Sequence, residues 1–149
     1  MIAMLRTLLP TALLAGALLS VMPGAEAQSG LKIRIDTDEF DTMNAFYRDV
    51  LALQVEEAWA DEGDRGVIFR VPGGGLLELG DDAEAPAPSG FSIQIEVSDV
   101  LATQLRIGDT WPTEGPTPRP WGLTYLYLTD PSGVGIILYQ PTAQTGDSR

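Results

Sequence analysis

The chain says nearly the same thing twice. Lys32-Ile33-Arg34-Ile35-Asp36 lies sixty positions before Ser92-Ile93-Gln94-Ile95-Glu96, and both alternate isoleucine with polar residues. That period-two pattern describes a strand with one apolar and one polar face. An acidic residue follows each, Glu39 and Asp99, ahead of a segment with helical spacing. Each half then closes on a Pro-x-Gly-x-x-(Leu/Ile)-x-Leu run, Pro72 to Leu79 and Pro131 to Leu138, fifty-nine positions apart. A unit of strand, helix and several strands that occurs twice points to two modules packed together.

Local patterning fills in the rest of each unit. Leu31 to Asp36 reads as the first strand. Asp38 or Asp41 is placed to cap a helix whose apolar positions Phe40, Met43, Phe46, Tyr47 and Val50 recur at helical spacing. Gln54 to Trp59, Gly66 to Val71 and Leu76 to Leu79 read as strands, separated by turns at Asp61 to Asp64 and Gly73 to Gly75. Asp81 to Ser89, with prolines and alanines, links the halves. Phe91 to Val97 opens the second unit and Val100 to Ile107 is its helix. Pro112 to Pro120 reads as a stiff, proline-rich excursion before the strands Leu123 to Thr129 and Gly135 to Tyr139, which meet at the tight turn Asp130-Pro131-Ser132-Gly133. The expected fold is α+β: two βαβββ modules, 31–80 and 91–140, forming a curled mixed sheet around a concave cavity.

The first thirty residues stand apart. Arg6 precedes an apolar run from Thr7 to Val21, and Ala25-Glu26-Ala27 has the small-x-small pattern of a signal peptidase site. The run is too short for a good membrane span. The expectation is a signal peptide over 1–27, cleaved after Ala27, and hence a secreted or periplasmic protein. A domain of 31–140 and a frayed tail of 141–149 remain.

Composition narrows the chemistry. There is no cysteine and no histidine among 149 residues, and the net charge is −12. Packing alone must therefore hold the domain, without disulfides. Nucleic acid and anionic membranes are poor partners for a chain with no basic patch. The acidity favours cationic small molecules, and equally serves to keep an exported protein soluble. Without imidazole, Ser-His and Cys-His nucleophiles are excluded, as is the usual general base near neutral pH. Carboxylate, tyrosine, lysine and arginine chemistry is left. Gly73-Gly74-Gly75 is a hairpin turn rather than a phosphate loop, because no Lys-Ser/Thr follows it.

Five landmarks in order carry a family resemblance: Phe46-Tyr47-Arg48-Asp49-Val50-Leu51, Leu77-Glu78-Leu79, Arg119-Pro120-Trp121-Gly122, Asp130-Pro131-Ser132-Gly133 and Leu138-Tyr139-Gln140. Over Leu31 to Gln140 the chain resembles the vicinal oxygen chelate superfamily, which includes glyoxalase I, extradiol dioxygenases and bleomycin-resistance proteins. In the metal-dependent members of that family, ligands come from four positions, which the resemblance carries onto Lys32, Glu78, Ser92 and Ile137. Of these only Glu78 is a ligand type, whereas zinc, nickel or iron needs about three good ones. An oxygen-only set of Glu78, Gln94 and Glu96 for manganese or magnesium stays open.

The polar strand faces supply the candidate site. Lys32, Arg34, Glu78, Ser92, Gln94 and Glu96 fall on them, with Tyr125, Tyr127, Ile137 and Tyr139 expected alongside. Arg34, Glu78, Gln94, Glu96, Trp121, Tyr125 and Tyr139 are the expected ligand-binding residues. Glu78 is the one catalytic candidate, as a base with a raised pKa; the simpler reading pairs it with Lys32 or Arg34. The resemblance implies a metal-free protein, without cofactor, that binds a cationic or planar small molecule and forms a homodimer. The alternative is a lyase, isomerase or dioxygenase with a non-standard metal set or Glu78 as base. A purely structural domain is the third class.

Overall fold

The computed structural model describes residues 30–142. The expected signal peptide and all but the first two residues of the expected tail lie outside them. Each module is a four-stranded mixed sheet with one helix. The first runs β1 (Lys32–Thr37), α1 (Phe40–Ala45, prolonged by a π turn over Phe46–Val50), β2 (Gln54–Asp61), β3 (Asp64–Arg70) and β4 (Leu76–Asp81). The second runs β5 (Ser92–Glu96), α2 (Val100–Ile107), β6 (Glu114–Pro118), β7 (Leu123–Thr129) and β8 (Gly135–Pro141). Strand orders are β1-β4-β3-β2 and β5-β8-β7-β6, with the outer pairs β1–β4 and β5–β8 parallel.

The repeat survives at the level of single register positions. Ile33, Arg34 and Ile35 pair with Leu77, Glu78 and Leu79, while Ile93, Gln94 and Ile95 pair with Ile136, Ile137 and Leu138. Alternation then sorts side chains to two faces. Ile35, Val67, Phe69, Leu77 and Leu79 bury against Phe40, Met43, Phe46 and Tyr47 of α1 and its π turn; Ile93, Ile95, Leu126, Leu128, Ile136 and Leu138 join the same core beside Val100 and Ile107. No helix among the described residues is long and apolar enough to cross a membrane.

Two local expectations are corrected. Neither Asp38 nor Asp41 caps α1: Glu39 occupies that position without a side-chain bond. Asp41 accepts from Arg65 Nη1 at 3.0 Å instead. Thr37 Oγ1 takes the Glu39 amide at 3.0 Å. By contrast Asp99 caps α2 through Ala102 N at 2.9 Å. The proline-rich excursion is in fact strand β6. It lies at the sheet edge, where a proline's missing N–H costs no ladder bond, and its pairing with β7 slips between Glu114 and Thr117.

The modules dock through the end of α1. Tyr47 donates its hydroxyl to Asp130 Oδ2 at 2.9 Å, and Phe46 meets Trp111 edge-on with centroids 4.8 Å apart. Arg106 Nη1 donates to the Val50 carbonyl at 2.9 Å, the favoured place for a cation at a helix C-terminus. The two sheets are not hydrogen-bonded to one another.

Candidate functional site

In module one the polar sheet face is organised around Glu78, which is 5% exposed. Lys32 Nζ donates to its Oε2 at 2.5 Å, and Arg34 Nη1 donates to its Oε1. Both cations are half exposed while the carboxylate is not. A buried carboxylate left alone would cost several kcal/mol; two charge-assisted bonds offset that cost. Lys32 holds the Glu78 carboxyl below the usual carboxylate range, against the opposing effect of burial, and Arg34 adds to the pull. The structure therefore pairs Glu78 with both cations the sequence offered, and a raised-pKa base is not what this geometry makes. Arg34 Nε also donates to Asp36 Oδ1 at 2.9 Å.

The neighbouring register row explains two glycines. Trp59, Gly66 and Gly80 lie across β2, β3 and β4, with Asp36 beside them on β1. A methyl group at Gly66 would stand 2.2 Å from Trp59 Cζ2, and one at Gly80 would stand 2.3 Å from Asp36 Oδ1. The Trp59 indole and the Arg34–Asp36 pair thus lie flat on the sheet, because those two positions carry no side chain.

Module two presents a different surface. Gln94, Ile137, Tyr127 and Glu114 form one register row, and Glu96, Tyr139, Tyr125 and Thr117 the next. The Tyr125 ring lies 5.9 Å from Trp121, 5.9 Å from Tyr127 and 6.2 Å from Tyr139. Trp121 Nε1 donates to the Tyr125 hydroxyl at 3.2 Å, yet the residue is 61% exposed. Arg119 sits among these rings, 5.3 Å from the Tyr127 centroid, and its Nε donates to the Tyr127 hydroxyl at 2.9 Å.

The expected site residues therefore fall into two groups on two sheets. Arg34 and Glu78 are together in module one; Trp121, Tyr125 and Tyr139 are together in module two, on the face that also carries Gln94 and Glu96. Two clefts, about 630 and 620 Å3, are each lined by a single module. The first takes in Lys32, Glu56, Arg70 and the Gly73–Gly75 turn, the second Trp111, Glu114 and Tyr127. Arg34 and Asp36 line a smaller one, about 350 Å3, with the linker and Phe91. Lys32 and Tyr127, expected on the polar faces though not among the ligand-binding residues, take part in these clusters, and Asp36, Trp59 and Arg119 are additions. Period two from Tyr125 signals Tyr127; nothing local signals Arg119, which reaches the rings from beyond the end of β6.

A divalent metal at the superfamily's four positions does not fit these side chains. Lys32 is a donor, Ile137 has no ligand atom, and Glu78 has committed both oxygens to Lys32 and Arg34. An oxygen-only set with Gln94 and Glu96 would have to take Glu78 from Lys32 and Arg34, which hold both of its oxygens. Among the described residues no three or more Asp, Glu, His or Cys groups converge on a metal position.

A duplicated βαβββ unit with one helix-covered and one polar sheet face in each half defines a paired-module α+β protein. The chain belongs to the Glyoxalase/Bleomycin resistance protein/Dioxygenase superfamily, whose family model matches residues 32–138. Solved structures share the fold at low identity. An antibiotic binding protein from a Streptomyces species is 21% identical with a TM-score of 0.66, covering 78% of this chain and 98% of its own. A glyoxalase/bleomycin resistance protein from the same genus is 22% identical with a TM-score of 0.63, covering 75% and 100%. Lactoylglutathione lyase from Agrobacterium tumefaciens is 23% identical with a TM-score of 0.54, covering 76% and 94%. No curated protein matches the sequence.

Proposed function

We propose that this is an exported, metal-free binding protein that sequesters a small planar molecule, acting without catalysis. The observation that carries the reading is the Lys32–Glu78–Arg34 cluster: the one carboxylate at a ligand position of the superfamily is tied up by two cations. It is neither open to a metal nor set up as a base. The antibiotic binding protein of the same fold is an analogy for sequestration, since fold does not fix function.

The chain forms a homodimer in this reading. Among the described residues the charged face of module one and the aromatic face of module two contribute to separate clefts, and pairing with a second copy is the proposed way of bringing such faces together. The cationic ligand suggested by net charge finds no support at the aromatic face, because Arg119 already lies there.

The test is metal analysis of the mature protein, purified without chelators, with thermal shift against divalent ions. The expected result is no stoichiometric metal and no shift of several degrees. Stoichiometric metal would return the chain to lyase or dioxygenase chemistry. N-terminal sequencing of the exported form should begin at Gln28, and light scattering should give twice the chain mass.

A further inference from the structure

Arg119 is unlike the other cations of this acidic chain. Of the seven described Lys and Arg residues, Lys32, Arg34, Arg48, Arg65 and Arg70 each make an ion pair with a carboxylate. Arg106 bonds the Val50 carbonyl at the end of the π turn. Arg65 also lies over a ring, Phe40, but it pairs with Asp41 and Asp81 as well; Arg119 has aromatic rings and a hydroxyl in place of a carboxylate. Its guanidinium carbon lies 5.7, 5.8 and 5.3 Å from the Trp121, Tyr125 and Tyr127 centroids, and Nε and Nη2 both donate to the Tyr127 hydroxyl. Among the described residues Nη1 has no acceptor. Acidic residues outnumber basic ones 21 to 9, and Glu96 and Glu114 occupy the same sheet face, yet neither makes an ion pair with Arg119. The rings hold the guanidinium by its faces and one edge, leaving the other edge for an incoming acceptor.

Beside that edge Trp121 offers an exposed indole, steadied by its bond to the Tyr125 hydroxyl. A planar ring can stack there while a carboxylate on the same molecule meets Arg119, whose fork matches a carboxylate's two oxygens. We propose that the Arg119–Trp121–Tyr125–Tyr127 face is the recognition site for a planar aromatic carboxylate. This deepens the binding-protein reading above and rests on it, assigning the ligand a negative rather than a positive charge.

Calorimetric titration of the full mature chain with naphthoate, neutral naphthamide and cationic naphthylmethylammonium tests this. Naphthoate is expected to bind at least about 10-fold tighter than the amide, the effect of one charge-assisted hydrogen bond. Arg119→Gln should weaken naphthoate far more than the amide and so erase that preference, and Arg119→Lys should retain part of it. Trp121→Ala should weaken all three probes. Tighter binding of the ammonium probe, or equal binding of all three, overturns the charge assignment and leaves the small-molecule reading standing. No heat with any of them, at millimolar concentration, overturns both. The ranking on the unaltered chain decides the sign even where a variant fails to fold.

Discussion

Tyr47 and Asp130 are 83 positions apart, and the 2.9 Å hydrogen bond between them joins the two modules. Asp130 is 3% exposed and Tyr47 is fully buried. The other carboxylate oxygen of Asp130 accepts from Val134 N and Ser132 Oγ, both at 2.8 Å, so the tight turn between β7 and β8 is built around the same group. Burial, chiefly, and the Asp130 carboxylate push the Tyr47 phenol up, so it stays a donor throughout the accessible pH range.

Tyr47→Phe removes that donor and leaves Asp130 Oδ2 buried without a partner. The expected loss is about 1–3 kcal/mol of unfolding free energy, read from urea midpoints. An unchanged midpoint would mean the docking rests on the Phe46–Trp111 and Arg106–Val50 contacts instead.

Glu78→Ala leaves Lys32 and Arg34 side by side with no shared carboxylate. It should cost on the order of 1–3 kcal/mol near neutral pH. A melting temperature at or above the parent's would refute the pairing as a source of stability.

The same group makes a pH prediction. Its pKa is lowered in the folded state, so its stabilisation is present above the unfolded value, about 4.3, and is lost as pH falls through the folded value. Glu78→Gln has no such dependence. The stability gap between parent and Glu78→Gln should therefore narrow as pH drops from near 6 toward 3, measured by urea unfolding at each pH. A gap that widens on acidification would contradict the direction of the shift.

Gly66→Ala places a methyl group where the Trp59 ring lies, and a rigid indole must swing off the sheet. Trp59 emission should shift to the red, with no such change when the substitution is made in a Trp59→Phe background. Asp99→Ala, which removes the α2 cap, should cost about 1 kcal/mol in thermal unfolding.

How much of this was legible beforehand differs element by element. The strands and both helices follow from apolar spacing, and the sixty-position offset places Arg34 opposite Gln94 in the repeat. Glu78 was visible as a polar residue among leucines, with two cations on the facing strand. Strand β6 was hidden, because Pro116 and Pro118 argue against a strand unless it is known to lie at an edge. Arg34 and Tyr125 have the face parity expected of them, but parity alone does not say which sheets meet.

Period-two and helical alternation are local properties, so the sequence by itself determined the two βαβββ modules and which residues face away from the core. Only the tertiary structure decided that Glu78 takes both Lys32 and Arg34, that Arg119 lies among the rings and that Tyr47 reaches Asp130. Those contacts depend on the angle and distance between elements far apart in the chain. Packing of side chains around the core sets both.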